Sequence, residues 1–248
     1  MGRGAGRAWR QFEVRMNTIS DKIFSPVKAE IYDWPFDGDL RTTNTALLTI
    51  DMQHDFCSPG GFIDRLGLPV TGTRAVIPAI REVLGAMRAA GFHIIHTREG
   101  HRRDGSDVPA NKAWRLARAG VPIGSDPGMC GMALTRGEPG WEIVPELTPL
   151  PEEPVIDKPG KGAFYATDLD MILRLRGVRN LVIAGVTTDV CVHTTLREAN
   201  DRGYECLLLE DCCAAINPAS HAMSIWQVRV GAIFGVVSTS AELLRTIA

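Results

Sequence analysis

The chain has 248 residues, of which 45% are hydrophobic and 23% charged, with a formal net charge of -2. That composition supplies a sizeable apolar core, and its charge balance gives no electrostatic reason to expect nucleic acid or an anionic membrane as partner. No apolar run approaches the roughly 18 residues that a membrane helix needs.

Arg3, Arg7, Arg10 and Arg15 stand near the start with no apolar core between them, so a secretory signal is not expected. An organelle presequence fits that composition as well. The plainer expectation is a flexible extension over 1–22 ahead of one domain over 23–248, with Met16 offering a second start.

From Thr45 onward, short β-branched or aliphatic runs alternate with stretches of helical period. Ala46 to Ile50 reads as a buried strand. Val76, Ile80, Val83, Leu84 and Met87 then mark one face of a helix, which Gly91 stops. Phe92 to Thr97 is the second strand. The Gly- and Pro-rich stretch from Arg98 to Pro154 follows, with local order expected around Trp141 to Leu147; it could serve as a lid or as a contact surface.

The rhythm then returns. Val155 to Asp157 is a short strand, and Thr167 or Asp168 caps a helix through Leu169, Ile172, Leu173 and Arg176. Asn180 to Gly185 is a strand, Asp189 to Asp201 a helix, and Tyr204 to Leu209 another strand. Asn217-Pro218 has the residue types favoured at the N-cap and first position of a helix. Ile233 to Val237 is the last strand, and Thr239 or Ser240 caps a closing helix. Repeated strand–helix–strand order implies crossovers, and hence an α/β fold: three α/β/α layers around a mostly parallel sheet.

The six cysteines, Cys57, Cys130, Cys191, Cys206, Cys212 and Cys213, form no C-x-x-C pair and read as reduced thiols of a cytoplasmic protein. Five or more are expected to be small buried hydrophobes; Cys212-Cys213 is a packing pair, since adjacent residues bridge only with strain.

Functional residues in such sheets lie beyond the carboxyl ends of the strands. Asp51 follows the first strand, Lys158 the third, and Cys191 the fourth after a short turn. In Gly185-Val186-Thr187-Thr188-Asp189-Val190-Cys191 the thiol falls in a first helical turn, where free N–H groups and the dipole favour a thiolate. Asp51 would take the thiol proton and Lys158 would steady the charges. Alone, each has a plain alternative: a packed cysteine, a loop acid for which Asp55 serves equally, a solvated lysine. His54, His96 and Glu99-Gly100-His101 lack a second histidine at ligand spacing, so neither metal nor cofactor is expected. Gly160-Lys161-Gly162 lacks the Ser or Thr of a phosphate loop.

Together the segments Asp51-Met52-Gln53-x-Asp55-Phe56, Lys158-Pro159-Gly160-Lys161 and Gly185 to Cys191 resemble the isochorismatase-like cysteine hydrolases, over Thr45 to Ser240. The resemblance implies a Rossmann-like sheet, an Asp51–Lys158–Cys191 triad, a cis Val186–Thr187 peptide, and backbone N–H groups of Thr187 and Cys191 facing an oxyanion. The segments His96 to Arg102, Pro109 to Lys112, Leu134 to Trp141 and Arg197 to Cys206 are most similar to biuret amidohydrolases. That likeness implies Phe56, Lys161, Arg98 and Thr188 as substrate contacts, and a homotetramer. Those hydrolases carry a pocket Gln before the turn to the final strand, where this chain reads Arg229-Val230-Gly231-Ala232, with Gln227 a few positions early. The resemblance therefore implies hydrolysis of a small ureide, biuret or triuret, to an N-carboxylated ureide and ammonia through an S-carbamoyl cysteine. A ureidoacrylate- or nicotinamidase-type amidase, the latter with zinc, is the alternative within the family. A catalytically silent binding or assembly protein is the alternative outside enzymes, and an ether-cleaving isochorismatase, which lacks the cysteine, fits least.

Overall fold

The computed structural model describes residues 20–125 and 128–248; the expected extension lies outside the described residues up to residue 19, as does Met16. A ribbon of β1 (Ile23–Phe24) and β2 (Leu40–Arg41) precedes the main sheet. The sheet holds β3 (Thr45–Ile50), β4 (His93–Glu99), β5 (Val155–Lys158), β6 (Asn180–Val186), β7 (Glu205–Ala214) and β8 (Val236–Ser238). Their order is β5-β4-β3-β6-β7-β8, and every pairing is parallel.

Period-two alternation fills both faces. Leu47, Val182 and Leu207 join one core with Ile80, Val83 and Leu84 of α4 (Ile77–Ala90) and Leu243 of α9 (Ser240–Ile247). Leu48, Ile183 and Leu208 point the other way. There they meet Leu169 and Leu173 of α6 (Leu169–Leu175), Leu196 of α7 (His193–Asp201) and Ile225 of α8 (Pro218–Arg229). The three expected layers are therefore present. Among the described residues no helix is long and apolar enough to cross a membrane.

Several boundaries follow local chemistry. Gly91 ends α4 at φ 95°, a left-handed conformation open to glycine. Asn217 caps α8 by accepting from the Ala219 N–H at 2.8 Å. Between β3 and α4 lie three short helices, α1 (His54–Cys57), α2 (Phe62–Arg65) and α3 (Thr71–Ala75). The stretch from Arg98 to Pro154 contains α5 (Ala110–Arg118), and tight turns at Pro139–Trp141 and Pro145–Leu147 give the local order expected there.

Other boundaries differ from the sequence expectation. β4 runs two residues past Thr97 because Arg98 and Glu99 pair with Asp157 and Lys158 of β5, and Gln53 holds its end: Gln53 Oε1 accepts from the Glu99 N–H at 2.7 Å and its Nε2 donates to the Glu99 carbonyl at 3.0 Å. β5 includes Lys158. β7 has ten residues rather than six, with a register shift against β6. The final strand begins at Val236, not Ile233, because Gly235 at φ 141° brings the chain against the Cys206 carbonyl and Ile233 points outward, 62% exposed.

The strand order reverses between β3 and β6: β4 and β5 lie to one side, β7 and β8 to the other. That switch point opens a crevice outside the carboxyl ends of β3 and β6.

Candidate active site

Asp51 is the first residue beyond β3, and with φ 53° it turns its side chain back under the crevice. Thr97 of β4 donates to Asp51 Oδ1 at 2.6 Å. Lys158, at the tip of β5, ion-pairs with Asp51 Oδ2 at 2.8 Å and donates to the carbonyls of Gly160 and Lys161, both at 2.9 Å. Past β6 the Val186–Thr187 peptide is cis. Thr188–Val192 then forms a π-helical turn that leads directly into α7 and carries Cys191. The acidic donor atoms of Asp51 and Glu99 and the sulfur of Cys191 all lie within 4.8 Å of one another. Asp51 and Cys191, 140 positions apart in sequence, are thus gathered with Glu99 and Lys158 into one buried cluster at the strand ends.

Burial pushes the Cys191 thiol well above its ordinary range; Lys158 and Lys161 pull it down, while Asp51 and Glu99 push it up. Burial and the two carboxylates thus oppose the thiolate that a helix start favours, and the two lysines support it. The turn is π-helical, the sulfur is enclosed, and two carboxylates oppose its charge. Burial would neutralise Lys158, yet Asp51, Cys191 and Glu99 hold it charged, above the usual lysine range. The remaining five cysteines are also buried and unbridged, and burial is the main influence that pushes Cys57 and Cys213 up to about 12. Cys191 is set apart by its charged company, not by exposure.

The sulfur borders a cavity of about 150 Å³ whose walls include Phe56, Phe62, Ile63, Lys161, Thr187 and Ile216. Phe56 packs edge-on against Phe62 at 6.3 Å. Phe56 and Lys161, two of the four expected substrate contacts, line this cavity. Arg98 and Thr188 do not line that cavity. Arg98 leaves β4 on the other side, stacks 3.4 Å above the Trp141 ring and pairs with Glu142 and Asp157. Thr188 is fully buried, its hydroxyl 2.9 Å from His221 Nδ1. Gln227 is exposed on α8, 3.4 Å from Arg197.

Glu99 was missed in sequence as a member of this cluster because the second strand reads two residues short. Its Oε2 accepts from the Cys191 thiol at 3.4 Å and lies 3.4 Å from Lys158 Nζ. Lys112 and Lys161 hold Oε1 at 2.9 and 2.8 Å. Burial opposes its charge, but Lys158, Lys161 and Lys112 together keep Glu99 well below the usual carboxylate range. The signal available was the strand-end rule applied one alternation further along.

Asp51, Glu99 and Cys191 are also the described residues whose donors could converge on a metal ion. The Lys158 ammonium, however, already stands 2.8 Å from Asp51 Oδ2 and 3.4 Å from Glu99 Oε2, so these carboxylates are neutralised by an organic cation. His54 bonds Ser58, His96 sits between Thr49 and Glu153, and His101 faces Asp107, each with a protein partner of its own.

The parallel sheet thus gathers a buried acid, ammonium and thiol at its switch point, where open α/β sheets place their sites. Residues 45–242 match the isochorismatase domain, and the chain belongs to the isochorismatase family of hydrolases. It is 36% identical over 208 residues to the ureidoacrylate amidohydrolase RutB of Azorhizobium caulinodans, covering 82% of this chain and 90% of that protein. It is 34% identical over 215 residues to the enzyme of the same name from Caulobacter vibrioides, covering 86% and 94%. Among solved structures it resembles a cysteine hydrolase from Pseudomonas syringae pv. phaseolicola with a TM-score of 0.72 and 29% identity, over 90% of this chain and 96% of that one.

Proposed function

We propose that the protein is a cysteine-dependent amidohydrolase of small ureides, with a ureido acid of the ureidoacrylate type as preferred substrate ahead of biuret or triuret. The observation that carries the chemistry is the Cys191 sulfur at the wall of the cavity, backed by two carboxylates and the Lys158 ammonium. In this reading the thiol passes its proton to a neighbouring carboxylate as the sulfur attacks the substrate carbonyl carbon. Lys158 balances the charge, the N–H groups of Thr187 and Cys191 receive the carbonyl oxygen, and the C–N bond breaks as the proton is returned to the departing nitrogen. Water then cleaves the S-carbamoyl cysteine and restores the thiol.

Two observations favour a ureido acid over biuret or triuret. The curated relatives at 34–36% identity are ureidoacrylate amidohydrolases, and Gln227, the nearest counterpart of the biuret-pocket glutamine, stands outside the cavity. Phe56 offers a flat wall to a planar ureide, and Lys161 offers a cation to its carboxylate or carbonyl oxygen.

The test is kcat/KM for ureidoacrylate, biuret, triuret and nicotinamide measured side by side, with Cys191→Ala as control. Ureidoacrylate is expected to lead by about 10-fold or more, corresponding to the one extra charged contact. Higher turnover of biuret or triuret would reverse the substrate order, and wild-type turnover by Cys191→Ala would end the mechanism.

A further inference from the structure

Resting on Cys191 as the nucleophile of a ureide amidohydrolase, we propose that Asp189 is a specificity-determining residue: its carboxylate accepts the N–H groups of the bound ureide and directs any negative charge of the substrate toward Lys161. Two charged side chains line the cavity beside the sulfur, Lys161 and Asp189. They come from different segments, the loop after β5 and the turn after β6. The cavity therefore carries both signs of charge on independent supports.

Donors are plentiful around the sulfur. Thr187 and Cys191 offer backbone N–H groups, and Lys161 offers an ammonium. A ureide brings N–H donors of its own, which none of these groups can accept. Left unpaired against Phe56, Phe62, Ile63 and Ile216, those donors would weaken binding. Among the lining residues Asp189 is the side chain that, once ionised, only accepts.

Asp189 is also free to serve. It is exposed in the first turn of Thr188–Val192, and among the described residues no ion pair or hydrogen bond engages its carboxylate. Lys161, by contrast, is answered by Glu99 at 2.8 Å, which leaves Asp189 as the uncompensated charge of the cavity wall. His193 and His221 feel that charge, but burial holds both below the usual histidine range, so neither neutralises it near neutral pH. The groups that act most on the Cys191 thiol are Lys158, Asp51, Glu99 and Lys161. Asp189, two positions before it, is not among them.

A neutral ureide is thereby held by its N–H groups and presents a carbonyl carbon to the sulfur. A ureido acid enters in one sense, its N–H groups to Asp189 and its carboxylate to Lys161. A small anion with no N–H to offer meets the Asp189 charge without the compensating hydrogen bond.

The experiment compares the rates at which iodoacetamide, neutral and bearing an NH2 group, and iodoacetate, an anion, alkylate Cys191, with the adduct located by mass spectrometry. Both reagents meet the same thiol, so the ratio of their rates cancels any change in its ionisation. Asp189→Asn is expected to lower the iodoacetamide-to-iodoacetate ratio about fivefold against the wild type, and Asp189→Glu to keep it. In parallel, Asp189→Asn is expected to raise KM about 10-fold for whichever ureide the wild type hydrolyses, with kcat little changed. A carboxylate that served only the helix start would move both alkylation rates together and leave their ratio alone. An unchanged ratio, or an unchanged KM, would overturn the assignment. Should Asp189→Asn fail a melting check, Asp189→Ser carries the same two expectations. The alkylation ratio needs no turnover, so it stands apart from the outcome of the substrate panel.

Discussion

Lys158 illustrates how a residue with an ordinary surface role in most sequences becomes part of the interior here. Its ammonium is fully buried, and its charge is offset by Asp51 and Glu99 while its remaining protons go to two carbonyls. Removing one partner of such a group leaves the others buried and uncompensated, which costs about 3–5 kcal/mol. Lys158→Ala is therefore expected to unfold at markedly lower denaturant concentration as well as to lose turnover; an unchanged midpoint in urea would show that the cluster contributes nothing to stability. Cys191→Ser keeps the shape and removes the nucleophilic sulfur. It is expected to melt as the wild type does while losing activity about 1000-fold, measured as ammonia release.

At the scale of elements, the site depends on close approach between β3 and β6. Gly185 in β6 sits at φ 123°, and a Cβ there would lie 2.1 Å from the Ile50 carbonyl oxygen, backbone that cannot move without breaking the central ladder. Gly185→Ala is expected to destabilise the fold by more than about 3 kcal/mol, read by thermal unfolding, and to separate Asp51 from Cys191 in whatever folded fraction remains. The α8 cap is a milder case. Asn217 serves one N–H at an exposed helix start, so Asn217→Ala is expected to cost about 1 kcal/mol with catalysis intact. A shift in kcat without a shift in melting would tie that helix to the site in a way its capping does not explain.

Over the whole molecule, pH acts through buried groups of opposite sense. Asp55 on α1 accepts from the Phe62 and Leu134 N–H groups and so links α2 to the loop before Trp141. Burial nevertheless pushes its carboxyl up to about 6, against those hydrogen bonds and Arg65. An acid whose folded pKa exceeds its unfolded one stabilises the fold while protonated and loses that contribution as pH rises through the folded value. Asp55 therefore weakens the fold between about pH 4 and 6 by on the order of 3 kcal/mol. His93 runs the other way: burial, with Arg176 near, lowers it to about 4. It supports the fold fully above its unfolded value near 6.5 and loses that support as pH falls towards 4. Denaturation midpoints followed from pH 4 to 7 are expected to rise more steeply with pH in Asp55→Asn than in the wild type, and less steeply in His93→Gln. Parallel curves for all three would mean these groups keep their unfolded proton affinities.

Much of this molecule is determined locally. Alternating apolar runs specify the sheet and its faces, Gly91 and Asn217 specify helix ends, and the segments at Asp51, Lys158 and Cys191 specify the family, because each depends on residues near in sequence. What lay beyond local reading depends on contacts between distant segments. Pairing with β5 carries β4 on to Glu99 and so brings that carboxylate into the cluster, Lys112 reaches it from α5 across the loop after β5, and Arg98 turns away to Trp141. The surroundings of the thiol depend on the fold in the same way. Helix position is written in the chain, but the burial that pushes Cys191 up, and the lysines and carboxylates that act on it with opposite sign, exist only after six strands have brought those groups together.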